Sequence, residues 1–216
     1  MPIRSAAKPL AILTSLAIAG CSTSGPPPMR PAAFTPLGLG APYLSQDVIG
    51  GTKARSAKMR AAKIRPLSAG QVPAYMAELD GELRRQTAGI GLDVLSVGGG
   101  IVIRIPAALT FGASSASVDP RFDATLLEIA RTVKTRKQTF VDVLAHTDTT
   151  GQPGFNQSLS DKRAAAVASY LAAHGVAKAR IASKGYGETA PLYVPDDTET
   201  KQAANRRVEI RLVPYR

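Results

Sequence analysis

One cysteine, two histidines and no tryptophan occur among the 216 residues. The lone cysteine, Cys21, excludes an internal disulfide. His146 and His174 lack metal-ligand spacing, so neither a metal nor a cofactor is expected. Beyond the first twenty residues no segment is long and apolar enough to span a bilayer, which takes roughly 20 apolar residues. No nucleophile elbow accompanies His146 and Asp148, and Ser-His-Asp chemistry needs a buried orienting carboxylate and an oxyanion hole. His146 is therefore read as a structural histidine that orders its loop. Gly98, Gly99 and Gly100 do not open a helix, so they form no phosphate loop. These absences argue against an enzyme.

What is abundant is positive charge, +11 net, and its position matters more than its size. Residues 1–70 carry nine Lys/Arg against one acid, whereas residues 71–216 carry eighteen against fifteen. The excess lies near the start, outside the segment that reads as folded, which argues against a nucleic-acid partner. A basic stretch close to anionic lipid is the simpler reading.

The start itself has the layout of a secretory signal: Arg4 and Lys8, then an apolar run from Leu10 to Ala19, then small residues. Ile18-Ala19-Gly20-Cys21 resembles the bacterial lipobox, which implies cleavage before Cys21 and acylation of that residue. Acyl chains contribute about 0.8 kcal/mol per buried methylene, so three of them would anchor the chain essentially permanently. Ser22, rather than Asp, favours the outer membrane, with the remaining chain facing the periplasm.

From residue 21 to 67 the chain is rich in Pro, Gly, Ala and Ser and reads as a basic tether, with at most a turn or two of helix in 53–65. Order is expected from Ser68. Residues 68–106 read as a helix carrying Tyr75, Met76, Leu79 and Leu83, followed by a hairpin turning at Gly98-Gly99-Gly100. Residues 91–216 then read as strand, helix (119–135), strand (139–145), helix, strand (180–186), polar loop and last strand (206–213). Asp142 is placed at the one wet position of its strand. Ser160 reads as the N-cap of the second helix and Gly175 as its end. The order β-α-β-α-β-β implies an α+β, two-layer sandwich, with helices on one face of a mixed sheet.

One loop between strand and helix gathers unlike polar groups: Ala145-His146-Thr147-Asp148-Thr149-Thr150-Gly151, then Asn156, Leu159-Ser160 and Arg163-Ala164. With Ser160 as cap, Arg163 sits in the first turn, beside unpaired backbone donors, where an anion binds well. Asp148 opposite it would match an ammonium. The pair fits an amino-acid head group, and it equally fits a plain salt bridge tying loop to helix. The residues alone leave both open.

The run A-H-T-D-T-T-G, Asn156, L-S-D-K-R-A, with R-I-A-S-K-G-Y-G-E at Arg180–Glu188 and N-R-R-V-E-I at Asn205–Ile210, resembles the OmpA-like peptidoglycan-binding domain. The resemblance covers roughly residues 90–216. It implies that Asp148 and Arg163 hold the diaminopimelate residue of the peptidoglycan stem, with Asn156 and Thr150 lining the same pocket. Arg206 and Arg207 match the family's paired arginines, one expected near the ligand and the other structural. Two departures stand out: Ala145 replaces a usual glycine, and Gly112 or Ala113 stands where an acid is usual. The second implies a missing contact and weaker binding. The alternative is an envelope interaction protein that docks on other envelope proteins, its wall site degenerate.

Replacing the acylation site tests the anchor. Cys21→Ser is expected to move the protein from the membrane pellet to the soluble periplasmic fraction on cell fractionation; continued sedimentation with the outer membrane would refute lipidation.

Overall fold

Strand residues that alternate Ile or Val with charged side chains need one apolar layer and one way to neutralise the charges. The computed structural model describes residues 48–216; the expected signal, Cys21 and the tether as far as residue 47 lie outside the described residues. In chain order the elements are α1 (Thr52–Ala61), α2 (Val72–Thr87), β1 (Asp93–Val97), β2 (Gly100–Pro106), α3 (Ala107–Thr110), α4 (Asp123–Thr135), β3 (Thr139–His146), α5 (Pro153–Ala173), β4 (Ile181–Gly185), α6 (Glu199–Asn205) and β5 (Arg207–Pro214). The polar segment before β5 thus holds a short helix, α6, where a loop was expected.

The five strands lie in the order β1-β2-β5-β3-β4. β1 and β2 form the expected hairpin, and Gly98 and Gly99 both adopt positive φ, 58° and 78°, as a two-residue turn of matching twist requires. β5 runs antiparallel between β2 and β3, with Ile210 opposite both Ile103 and Val143. β4 pairs with β3 in parallel, so α5 crosses over between them.

Alternate positions of the central strands point to one side. Ile101, Ile103 and Ile105, Val141, Val143 and Ala145, and Val208, Ile210 and Leu212 pack there. They meet Leu79 and Leu83 of α2, Leu126, Ile129 and Val133 of α4, and Val167 and Leu171 of α5. This is the expected mixed sheet, with α2, α4 and α5 on one face. Arg180, 1% exposed, sits at the end of α4 and donates to the carbonyls of Val133 (2.6 Å), Arg136 (2.8 Å) and Thr139 (2.9 Å). It satisfies helix-end carbonyls that would otherwise be orphaned by burial.

The opposite face corrects two expectations. Every residue of β3 is buried, Asp142 completely, so Asp142 is not at a wet position. What covers it is α1, so the segment from Val48 to Leu67, expected as tether, is folded against the sheet. Met59 of α1 packs with Val48, Phe140 and Tyr215 in a second apolar cluster. Arg55 reaches the Asp142 carboxylate and the Arg180 carbonyl. The second oxygen of Asp142 accepts from Arg211 at 2.7 Å and from the Ile49 amide at 3.2 Å. Only Arg55, Ser56 and Met59 of α1 are buried, and its other positions are mostly Lys, Arg and Ala. So narrow an inward stripe, with an arginine in it, gives almost no apolar period for a sequence reader to find.

Removing Asp142 would leave two buried guanidinium groups without their carboxylate. Breaking a buried ion pair from one side costs about 3–5 kcal/mol. Asp142→Ala is therefore expected to lower Tm by roughly 6–20 °C, at about 2–4 °C per kcal/mol for a domain of this size. Calorimetry of the variant checks this, and an unchanged Tm would show that α1 is held by its apolar contacts alone.

Candidate functional site

The loop after β3 and the start of α5 build the site. Asp148, 7% exposed, follows the buried strand by two residues. One of its oxygens accepts from the Thr150 amide at 3.1 Å, and the other is paired to Arg206 Nη1 at 2.5 Å. Arg206, at the start of β5, also pairs with Glu199 of α6. The loop is pinned from below by Asp196, which accepts from the Thr149 amide at 2.9 Å and from its hydroxyl. Burial opposes ionisation of Asp196, but the Thr149 bonds and the Asn205 amide together hold its carboxyl below the usual range.

α5 begins at Pro153, with Gln152 as its N-cap, rather than at Ser160. This corrects the expected place of Arg163, which lies in the third turn and receives nothing from the helix terminus. Pro in the first turn marks the true start. Ser160 is buried inside the helix and faces β4: its hydroxyl donates to Gln157 O and accepts from the Gly187 amide, at 2.9 and 2.8 Å. Gly185 passes so close that a Cβ there would lie 2.3 Å from the Asp161 amide nitrogen, which fixes the distance between helix and strand. The Asp161 carboxylate accepts from the Gly185 amide at 2.9 Å. The L-S motif therefore serves helix packing, and the first turn belongs to Asn156.

Asn156, 4% exposed, donates to Thr150 O at 3.1 Å and to Glu188 Oε2 at 2.8 Å. It closes the loop onto the helix. Thr150 is exposed at the loop's rim. Glu188, Asp196 and Glu199 were not singled out from the sequence. Glu188 stands in the R-I-A-S-K-G-Y-G-E run, so its signal was present; Asp196 and Glu199 lie in a stretch with no period.

Arg163 is 6% exposed and makes no ion pair among the described residues. Its Nε donates to Ser115 O at 2.8 Å and Nη2 to Gly112 O at 3.4 Å, while its guanidinium stands 5.1 Å from the Phe111 ring centre. Burial and the nearby Arg206 both push its pKa down, and Asp148 pushes it up. Asp148 and Arg163 thus feel each other without a direct bond, and the plain salt bridge between them is not formed. The segment lacking the family's acid supplies two carbonyls in its place. These orient the arginine without neutralising it.

The paired arginines make different contacts. Arg206 reaches Asp148, whereas Arg207 is 1% exposed and turned to the other face of the sheet. There it donates to Glu209 at 2.8 Å and to the carbonyls of Asn205 and Ala190. Arg207 is thus held by the sheet and its flanking loops and does not reach Asp148.

Residues 110–206 match the OmpA family. Over 205 residues the chain is 34% identical to the probable lipoprotein YiaD of Escherichia coli (strain K12), covering 93% of each. The chain belongs to the OmpA family. It is 39% identical over 102 residues to the peptidoglycan-binding protein ArfA of Mycobacterium tuberculosis (strain ATCC 25618 / H37Rv), covering 47% of this chain and 31% of that protein. Among solved structures, the cell wall anchor of the T6SS from Pseudomonas aeruginosa superposes with a TM-score of 0.56 at 28% identity, over 61% of this chain and 96% of that one. Nearly all of that shorter chain thus aligns with about three-fifths of this one.

His146 stands next to the site without belonging to it. It is 1% exposed and stacks on Tyr186 at 5.3 Å and 11°. Burial, aided by Arg207, pushes its pKa down to about 3. Since the unfolded chain protonates near 6.5, it binds the proton first, and folding stability falls as pH drops from 6.5 towards 3. The slope from this one group is about 1.4 kcal/mol per pH unit. Melting curves between pH 7 and 4 should show that dependence, and His146→Gln should flatten it. A wild-type His146 imidazole that titrates near 6.5 by NMR would disprove the assignment.

Proposed function

We propose that the chain is a lipid-anchored outer-membrane protein that binds the diaminopimelate-bearing stem of peptidoglycan without covalent chemistry. It would tie the outer membrane to the cell wall. The observation that carries this is the setting of Arg163: a nearly buried guanidinium, oriented by two carbonyls, with no carboxylate paired to it among the described residues. Such a group favours an incoming carboxylate, because a charge-assisted bond in a partly desolvated site is about twice as strong as a neutral one. Asp148, backed by the Thr150 amide, offers the opposite charge to an ammonium. Arg206 holds the Asp148 carboxylate in place through a direct contact.

A diaminopimelate side chain ends in an ammonium and a carboxylate on one carbon, so it fits two opposed charges that do not quench each other. The names of the relatives support the reading, since ArfA is called peptidoglycan-binding and the Pseudomonas structure a cell wall anchor. The YiaD likeness, over nearly the whole chain, supports the lipoprotein part. Catalysis has no support in the geometry. His146 is buried and neutral at physiological pH, and stacking occupies its ring.

Co-sedimentation with purified sacculi tests the clamp. Hydrogen bonds to a charged group contribute about 1.5–3 kcal/mol, so Arg163→Ala and Asp148→Ala should each weaken binding by roughly ten- to a hundredfold. Circular dichroism establishes that the variants are folded. Wall binding that survives both substitutions would refute the site and favour the scaffold alternative.

A further inference from the structure

We infer that the end of the domain opposite the clamp is a docking face for an anionic phospholipid bilayer. Between Val48 and Ala77 the sequence has no Asp or Glu and six cations, Lys53, Arg55, Lys58, Arg60, Lys63 and Arg65. Arg55 alone is turned inward; the other five are exposed, and none of them forms an ion pair among the described residues. On α1 the outward ridge is Ala54, Ala57 and Ala61, flanked by Lys53 and Arg60 on one side and Lys58 on the other. Short side chains along the ridge let the helix lie close to a flat surface while the flanking cations reach it.

Two open clefts continue the patch. One, of about 360 Å³, is lined by Lys63, Arg65, Arg136, Lys137, Tyr75 and Gln138 among others. The other, of about 480 Å³, lies between Arg60, Lys63, Ile64, Arg65 and Pro66. Glu78 and Glu82 neutralise Arg136, so the unbalanced charge comes from the remaining cations. Clefts of this size, edged by lysine and arginine and open to solvent, suit phosphate head groups.

Position decides in favour of a membrane over another polyanion. The cleft lined by Lys63, Arg65 and Lys137 adjoins Gln138, which precedes β3, and Asp148 follows it, so this end of the patch and the clamp lie at opposite ends of an eight-residue strand. At about 3.3 Å per residue, that is on the order of 25 Å. Val48, where the described residues begin, packs on Phe140 in the half of β3 farther from Asp148. A bilayer seated on the basic end leaves the clamp pointing away from it. The charge argument stands whether or not the clamp binds peptidoglycan.

The test uses the full chain carrying Cys21→Ser, sedimented with phosphatidylcholine vesicles with and without one-third phosphatidylglycerol. Comparing the two lipids cancels any apolar contribution from the N-terminal segment. The protein should prefer the anionic vesicles, and 0.5 M NaCl should abolish the preference. Each Lys or Arg near an anionic surface is worth about fivefold in partitioning. Lys58→Gln, Arg60→Gln, Lys63→Gln and Arg65→Gln together should therefore reduce the preference by more than about a hundredfold. A control with Arg85→Gln, Arg121→Gln and Arg131→Gln, elsewhere on the surface, should keep it. No preference in the parent, a preference kept by the fourfold variant, or an equal loss in the control would each overturn the proposal. Sacculus binding by the same fourfold variant should be unchanged, which separates failure of this face from failure of the clamp.

Discussion

A carboxylate in the middle of a strand that is covered on both sides must be neutralised where it stands. Asp142 occupies that position, and the molecule meets the requirement from two directions. Arg211 comes from the neighbouring strand and Arg55 from a helix nearly ninety positions earlier. The second of these is what attaches α1 to the sheet. Leaving a charge in such a place unpaired costs more than pairing it gains, so the interaction acts as a constraint on what can fold rather than as a source of stability. Cover, charge and register are therefore settled together: α1 can sit in only one place, and once there it shields Phe140 and Tyr215 from water.

The clamp follows a similar logic with the opposite outcome. There the charges are held near one another and kept from quenching. Arg163 is steered by main-chain oxygens from residues 112 and 115, which carry partial charge only. Asp148 is met by Arg206, itself shared with the exposed Glu199, so the ion pair at the rim is a loose one. The cost of desolvating Arg163 is borne by the fold, through the packing of α5 on β4 at Ser160 and Gly185. The guanidinium is thus ordered and desolvated by the fold itself.

Much of this was legible in the residues. Alternation in β2, β3 and β5 gave the sheet, and the glycine pair at 98–99 gave the hairpin. Helical spacing at Leu79 and Leu83, and at Leu126, Ile129 and Val133, gave two of the three covering helices. The failures have a common cause. Ser160 has the chemistry of a cap, but tertiary contact with Gly187 uses its hydroxyl, and Pro153 was the better signal for the helix start. Asp142 looked wet because alternation describes one strand and says nothing of what comes from elsewhere to cover it. α1 looked like tether because its inward stripe is only three residues wide and includes a charge. Arg163 was expected beside a helix terminus, and the fold instead orients it from the loop after α3. Carbonyls supplied from fifty residues away leave no trace in local spacing.

One consequence of the strand order is mechanical. β3 is an inner strand, bonded along its length to β5 on one side and to β4 on the other. The loop that bears Asp148 leaves one end of it, while α1 grips it through Asp142 and leads back to the N-terminal segment. A pull between these two points runs nearly along the strand axis. The ladder bonds on both flanks then share the load at once, instead of parting one after another as they would under a peeling force. Bonds loaded together must break together, so tension along the strand meets more resistance than the same force applied across it.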